Sequence, residues 1–350
     1  MSSQDDHRGV DALVLRVAIL VLALAFPAWI ALSLAVVVGR MRYDRRTRER
    51  QGHELGEREA ARLIRRAGAR PRTEWRRSRR VSALARLARA HHAAAPQLLH
   101  RALIDSDSKV ATAAIRSLGG LGDGWSIDIL ILALRNESAP RSRIAAELER
   151  LAPEPGPRLV PLLRDASPEV RFWAATLLGP YPELGQENLI TLTWDPDSNV
   201  RAAAIETLGN RGGDAVGAAV LARLDDSAWF VRVHAARAAG HVLGVAAAPS
   251  ISRLLADERW WVRSAAKDAF RGLGSDAVGA LLPMLTHPDP FARNGAAEVL
   301  QDIGFVDRLT LEQPDSPLLE RIYEAGGEGL RRAAEHRAGQ KGLPREVRAA

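Results

Sequence analysis

The feature that most constrains this chain is a unit of about thirty residues that recurs along some two thirds of its length. With Val200 as the origin, equivalent positions fall at Val110, Pro140, Val170, Val231, Val262 and Ala292, and a worn copy fits near Arg80-Val81. The register repeats in detail. Arginine follows the origin at Arg141, Arg171, Arg201, Arg232, Arg263 and Arg293. Alanines stand four or five positions on, and an apolar residue eight on, often followed by glycine, as in Leu208-Gly209. Acids stand five and three positions before the origin, as in Asp195 and Asp197.

Each position has a physical role. Origin, +4 and +8 share one face of a helix, so that face is buried. Small residues at +4 and +5 let helices approach closely. The glycine after +8 reads as a helix stop, and the short acids before the helix read as caps for its free N–H groups. Between copies runs a second apolar helix, such as SIDILILALR or AVGAAVLARLDD. A single helical hairpin of this kind cannot bury its own apolar face, so the copies must stack. The expectation is an all-α, right-handed α-solenoid of about eight hairpins over residues 74–305, with capping helices and a tail at 306–350. A lone Asp-x-Asp pair resembles a metal site, but its members are replaced in most copies. A metal needs several convergent oxygens, whereas a cap tolerates such exchange.

The pattern D-x-D-x-x-V-R-x-x-A-A-x-x-L-G in a unit of this length resembles the HEAT-repeat family, and is most similar to its short bacterial, phycobilisome-lyase-like type. The resemblance implies an acid–arginine ladder between neighbouring copies. It would use Asp165, Asp195, Asp197, Asp226, Asp257 and Asp289 with Arg141, Arg171, Arg201, Arg232, Arg263 and Arg293. It implies little about function, since scaffolds, adaptors and a few enzymes share the fold. Deoxyhypusine hydroxylases of this fold carry several His-Glu pairs, and here the sole one is His53-Glu54. A bilin lyase is suggested by the family name alone. GGLGDG at 119–124 lacks the Lys-Ser/Thr of a phosphate loop and reads as a turn.

Composition narrows the rest. The absence of cysteine excludes disulfides and thiolate chemistry. The net charge of +7 is local: residues 40–90 hold 18 arginines against 6 acids, while the chain beyond them is mildly acidic. Nucleic-acid binding through a basic folded surface is therefore not expected, which leaves the basic stretch 40–90 as the alternative route to a nucleic acid. Val17–Val38 is a 22-residue run without a charge, long enough for a hydrocarbon core of roughly 30 Å. Its length, and a leader that is not positively charged overall, oppose a cleaved signal peptide. Arginines cluster on its C-terminal side, which places residues 1–16 outside the cell membrane and the remainder in the cytoplasm. Arg40, Arg42, Arg45, Arg46, Arg48 and Arg50 are candidates for contact with anionic lipid headgroups. Residues 39–73 read as an arginine-rich linker containing a helix.

The candidate partner-binding residues are aromatic. Trp229-Phe230 and Trp260-Trp261 hold equivalent places in adjacent copies, where stacking would align them as a ridge. Phe172, Trp173 and His234 fall at +2 or +3, facing the inner surface. Exposed aromatics anchor protein partners well. The sequence thus describes a membrane-anchored scaffold for a protein partner, with a neighbouring membrane protein as the candidate and a HEAT-type, lyase-like enzyme as the alternative, and it offers no catalytic, cofactor or metal residue to name.

Overall fold

A computed structural model describes residues 55–69, 73–137 and 139–342, all of them helical or in turns. The apolar run at 17–38, Arg40 to Arg50, and the tail after 342 lie outside the described residues. The chain divides after Leu99 into two compact units.

The first unit contains α1 (Glu57–Gly68) and α2 (Glu74–Arg89), which pack on each other as a hairpin. Ala60, Leu63 and Ala67 form the buried stripe of α1, and Ala83, Leu84 and Leu87 that of α2. Thr73 caps α2 through Arg76 N, and buried Arg80 donates to the Ala67 carbonyl at 2.9 Å. The helix expected inside a linker is therefore one arm of a packed pair. The apolar stripe, thin and embedded in arginine, is what made it read as a spacer.

Helix α3 (Ala95–Leu103) carries the boundary between the units. The second unit is an α-solenoid. Its helices are α4 (Ser108–Leu121), α5 (Gly124–Arg135), α6 (Arg141–Arg150), α7 (Gly156–Leu159), α8 (Pro168–Leu177) and α9 (Gln186–Leu192). There follow α10 (Ser198–Leu208), α11 (Asp214–Leu221), α12 (Trp229–Leu243), α13 (Ala248–Ser252), α14 (Trp260–Leu273), α15 (Val278–Leu281) and α16 (Pro290–Asp302). Helices α7, α13 and α15 end in tighter 3-10 turns, a common device where a helix must finish abruptly.

The long, even-numbered helices pack in series, α8 on α10, α10 on α12, α12 on α14 and α14 on α16. Origin and +4 residues supply the seam: Val170, Val200, Val231 and Val262, with Ala174, Ala204, Ala235 and Ala266, are all fully buried. Pro140 departs from its copies and is exposed, although Ile144 and Leu148 of α6 are buried. By length and composition, Trp229–Ala256 is the one stretch among the described residues able to cross a membrane. It consists of α12, α13 and the turns around α13, and the buried Val231 and Ala235 of α12 belong to this seam.

The glycines after +8 do not act as left-handed stops. Gly119 and Gly240 lie inside α4 and α12, and Gly209 caps α10 with φ −58°. Their role is close approach: a Cβ on Gly209 would stand 3.1 Å from the Cβ of Ala238 in the next copy, and one on Gly240 3.4 Å from that of Ala269. The actual stops come later, at Gly122, Gly244 and Gly274, which adopt positive φ.

The array closes with α17 (Phe305–Glu312) and α18 (Pro317–Gly342), the latter broken at Gly327. Leu319, Ile322 and Tyr323 of α18 are buried, and α18 packs on α16. They cover the end of the stack, as a terminal repeat must.

Candidate functional site

The loop before each long helix is built from a fixed set of polar contacts. The acid at −5 accepts the N–H of −3, as Asp195 does from Asp197 at 2.9 Å and Asp226 from Ala228 at 3.0 Å. The arginine at +1 then sends Nη1 to carbonyls of its own loop, Arg201 bonding Asp195 O at 2.9 Å and Pro196 O at 3.2 Å. Its remaining edge grips the −5 carboxylate of the following copy in a two-pronged bond. Arg171 holds Asp195 (2.7 and 2.8 Å), Arg201 holds Asp226 (2.8 and 2.8 Å) and Arg232 holds Asp257 (2.7 and 2.9 Å). Such fork-to-fork pairs are geometrically selective. They raise the pKa of each arginine through the hydrogen bond to its aspartate, against the opposing effect of burial.

Six other residues expected in this ladder stand elsewhere. Asp197 and Asp289 occupy −3 and cap their own helices, Asp197 through the N–H of Asn199 and Val200, and Asp289 through Phe291 and Ala292. From −3 the carboxylate faces the helix end, so it forms no rung. Asp165 does pair across copies, but with Arg135 at 2.7 Å. Arg135 stands at the −5 place of its own copy, where the others have an acid, and Arg141 bonds the Leu134 carbonyl instead. At the far end the −5 residue is His287. Its Nδ1 still accepts the Asp289 N–H at 3.1 Å, but it offers no carboxylate. Arg263 therefore stacks over the Phe291 ring at 4.4 Å, and Arg293 bonds its own loop carbonyls.

The aromatic residues fall in two places. Trp229, Trp260, Trp261 and Phe291 open the helices α12, α14 and α16 and are 38, 56, 60 and 61 % exposed. Trp229 meets Phe230 edge-on at 5.8 Å, and Trp260 meets Trp261 at 4.6 Å. Among the described residues, ring contacts stay within each pair and do not join one pair to the next. Arg223 stacks on exposed Trp194 at 3.6 Å. Trp194 and Phe291 extend this edge beyond the residues the sequence singled out. A repeat-by-repeat count of exposed aromatics ahead of the origin would have found them.

Phe172 and Trp173 lie on α8, half-buried and edge-on at 5.2 Å. Trp173 lines a groove between α6 and α8. One part is an open cavity of about 500 Å³ with Glu137, Pro140, Arg141 and Glu169. The other, about 140 Å³, runs over Ala145, Ala146, Leu177 and Pro180, with Glu149 on its border. The groove exists because Arg141 forms no rung and the +6 residues here are Ala146 and Thr176. Later copies fill the same rows with polar and charged side chains. His234 faces Glu206 at 3.8 Å, Lys267 bonds Glu298, and Arg271 bonds Asp268, Glu298 and Asp302. Burial holds the His234 pKa below its usual value, with Glu206 opposing and Arg237 assisting. At Glu169 the Ser167 hydroxyl hydrogen bond keeps the carboxyl below the usual carboxylate range. These rows are thus ion-paired between α14 and α16, polar where His234 meets Glu206, and apolar with an acidic border at α6 and α8. Among the described residues no three histidine, aspartate or glutamate side chains converge as a metal site would require.

No curated protein matches the chain. Solved structures similar to it include an engineered protein, 17 % identical, covering 81 % of this chain and 92 % of that one with a TM-score of 0.42. Human deoxyhypusine hydroxylase in complex with glycerol is 19 % identical, with 71 % and 97 % covered and a TM-score of 0.31. The complex of CpcE and CpcF of phycocyanin lyase from Nostoc sp. PCC7120 is 20 % identical, with 66 % and 93 % covered and a TM-score of 0.36. The family model for HEAT repeats matches residues 156–240 and 247–338, just over half of the chain. Its matched segments hold the three rungs Arg171–Asp195, Arg201–Asp226 and Arg232–Asp257, and the chain belongs to the HEAT-repeat family.

Proposed function

We propose that the chain is a membrane-anchored scaffold whose cytoplasmic solenoid holds another protein, acting by recognition and without catalysis. The observation that carries this reading is the change in the inner face at α6 and α8. From α10 to α16 the same rows carry charged and polar side chains such as Glu206, His234, Lys267, Arg271 and Glu298. At α6 and α8 the face opens into an apolar groove walled by Trp173, Ala146 and Leu177. Apolar surface left uncovered beside an anchor-sized aromatic marks a contact surface. The exposed edge from Trp229 to Phe291 offers a second set of anchors. The charge-free run at 17–38 would supply the single membrane span, with residues 1–16 outside, and Arg40 to Arg50 would lie against lipid headgroups.

A photo-crosslinking residue at Ala146 in the full chain, expressed in its own cells, tests the scaffold role. The expected outcome is one discrete crosslinked protein, lost when Trp173 is also changed to Ala. Crosslinking to no protein, or to a smear that Trp173→Ala leaves unaltered, would sink it. Protease added to intact cells tests the topology: residues 74–340 should survive until the membrane is opened.

A further inference from the structure

A second surface, in the first unit, has a composition of its own. From Glu57 to Arg89 the sequence holds twelve arginines against three glutamates. The hairpin segregates them. The buried stripe of α1 is Ala60, Leu63 and Ala67, and the opposite stripe, exposed, is Arg58, Arg62, Arg65 and Arg66. On α2 the exposed stripe runs through Trp75, Arg79 and Ser82 to Arg89. Two of the three glutamates are already neutralised inside the hairpin, Glu59 by Arg86 and Glu74 by Arg77. Trp75 is 63 % exposed, with the Arg79 guanidinium 4.2 Å above its ring. An amphipathic pair with cationic outer faces and one exposed indole has the chemistry of a membrane-surface element. The cations meet anionic headgroups, and the indole fits the headgroup level of a bilayer, where tryptophan is enriched.

We propose that the α1–α2 hairpin docks on an anionic lipid surface. This rests on the membrane-anchored reading only for its setting, and it assigns the headgroup contact to folded residues beyond the Arg40–Arg50 stretch. A nucleic acid would satisfy the arginines as well, but it gives no reason for a lone exposed indole with a cation on its face.

The chain has no cysteine, so Ser78→Cys, exposed on α2, gives one attachment point for an environment-sensitive fluorophore. The labelled full chain is reconstituted into vesicles of phosphatidylcholine alone, or with about one third phosphatidylglycerol to supply a negative surface. The expected result is a blue-shifted emission and an acrylamide quenching constant about threefold lower on the anionic vesicles alone, as for a probe drawn to the interface. High salt should reverse both changes. The triple variant Arg62→Glu, Arg65→Glu, Arg79→Glu should abolish the difference, and the matching glutamine variant should weaken it, each retaining its helical circular dichroism. Equal quenching on the two vesicle types overturns the proposal. So does shielding unchanged by the charge reversals, or a probe that random DNA duplex shields at the same phosphate concentration at which the anionic vesicles do not. Release of the chain from neutral vesicles by carbonate would count against the anchor alone, because the shielding is read on anionic vesicles.

Discussion

At the residue scale the decisive chemistry is that of Asp226. Its side chain is almost fully buried, at 2 % exposure, and accepts from Arg201, Arg223 and the Ala228 N–H at once. Burial alone pushes its carboxyl up, but the Arg201 hydrogen bond, the Ala228 N–H and the charges of Arg201 and Arg223 together hold it below the usual carboxylate range. Removing one partner of such a pair leaves the other desolvated, so Asp226→Ala should cost about 3 kcal/mol in urea melts at neutral pH. Adding Arg201→Ala should cost clearly less than the sum of the two single changes. The native pKa of Asp226 lies below the unfolded value of about 3.9. Its contribution is therefore complete above that pH and is lost as pH falls through the native pKa. Melts of Asp226→Asn and of the original chain should converge as pH drops below about 4. A gap that persists unchanged at low pH would show that the pair contributes through shape instead.

At the element scale the question is how closely consecutive long helices approach. Gly209 faces Ala238 at a distance that leaves no room for a larger side chain, with backbone atoms of both copies nearby. Gly209→Val should therefore destabilise by about 2 kcal/mol, the ordinary cost of overpacking. Gly120 in α4 has nothing within 4 Å of its would-be Cβ and keeps a negative φ. Gly120→Ala should instead stabilise by roughly 0.5–1 kcal/mol, since a glycine gives up more conformational freedom than alanine in a helix. Thermal melts of the two variants should shift in opposite directions. In the sequence Gly209 looked like a stop, because a glycine after the last apolar residue of a helix usually is one. Only the neighbouring copy shows that the missing Cβ makes room for Ala238.

At the scale of the solenoid, stability is close to a sum of copy and interface contributions. The interface between α6 and α8 lacks the Arg141 rung and contains the groove, while those from α8 to α14 each carry a two-pronged pair. Native-state hydrogen exchange should therefore report an opening in which α4 to α6 exchange while α10 to α14 stay protected. A single cooperative opening of all these helices would contradict that ranking. The groove and the weak interface are the same place, so a partner seated against Trp173 should slow exchange in α6.

What the sequence by itself determined was the period, the helical class, the buried face and the loop that turns each copy, because these depend on local spacing that repeats seven times over. It also held the departures, Arg135 and His287 at the −5 place, though their meaning was not legible there. Two aspartates two residues apart have the same local chemistry. Which one caps its own helix and which reaches the next copy depends on where that copy lies, and only the tertiary structure decided it. The same holds for α1, whose sparse apolar stripe becomes a core only against α2, and for the groove at Trp173. A surface left open is a property of neighbours that fail to meet, and no stretch of a single chain records it.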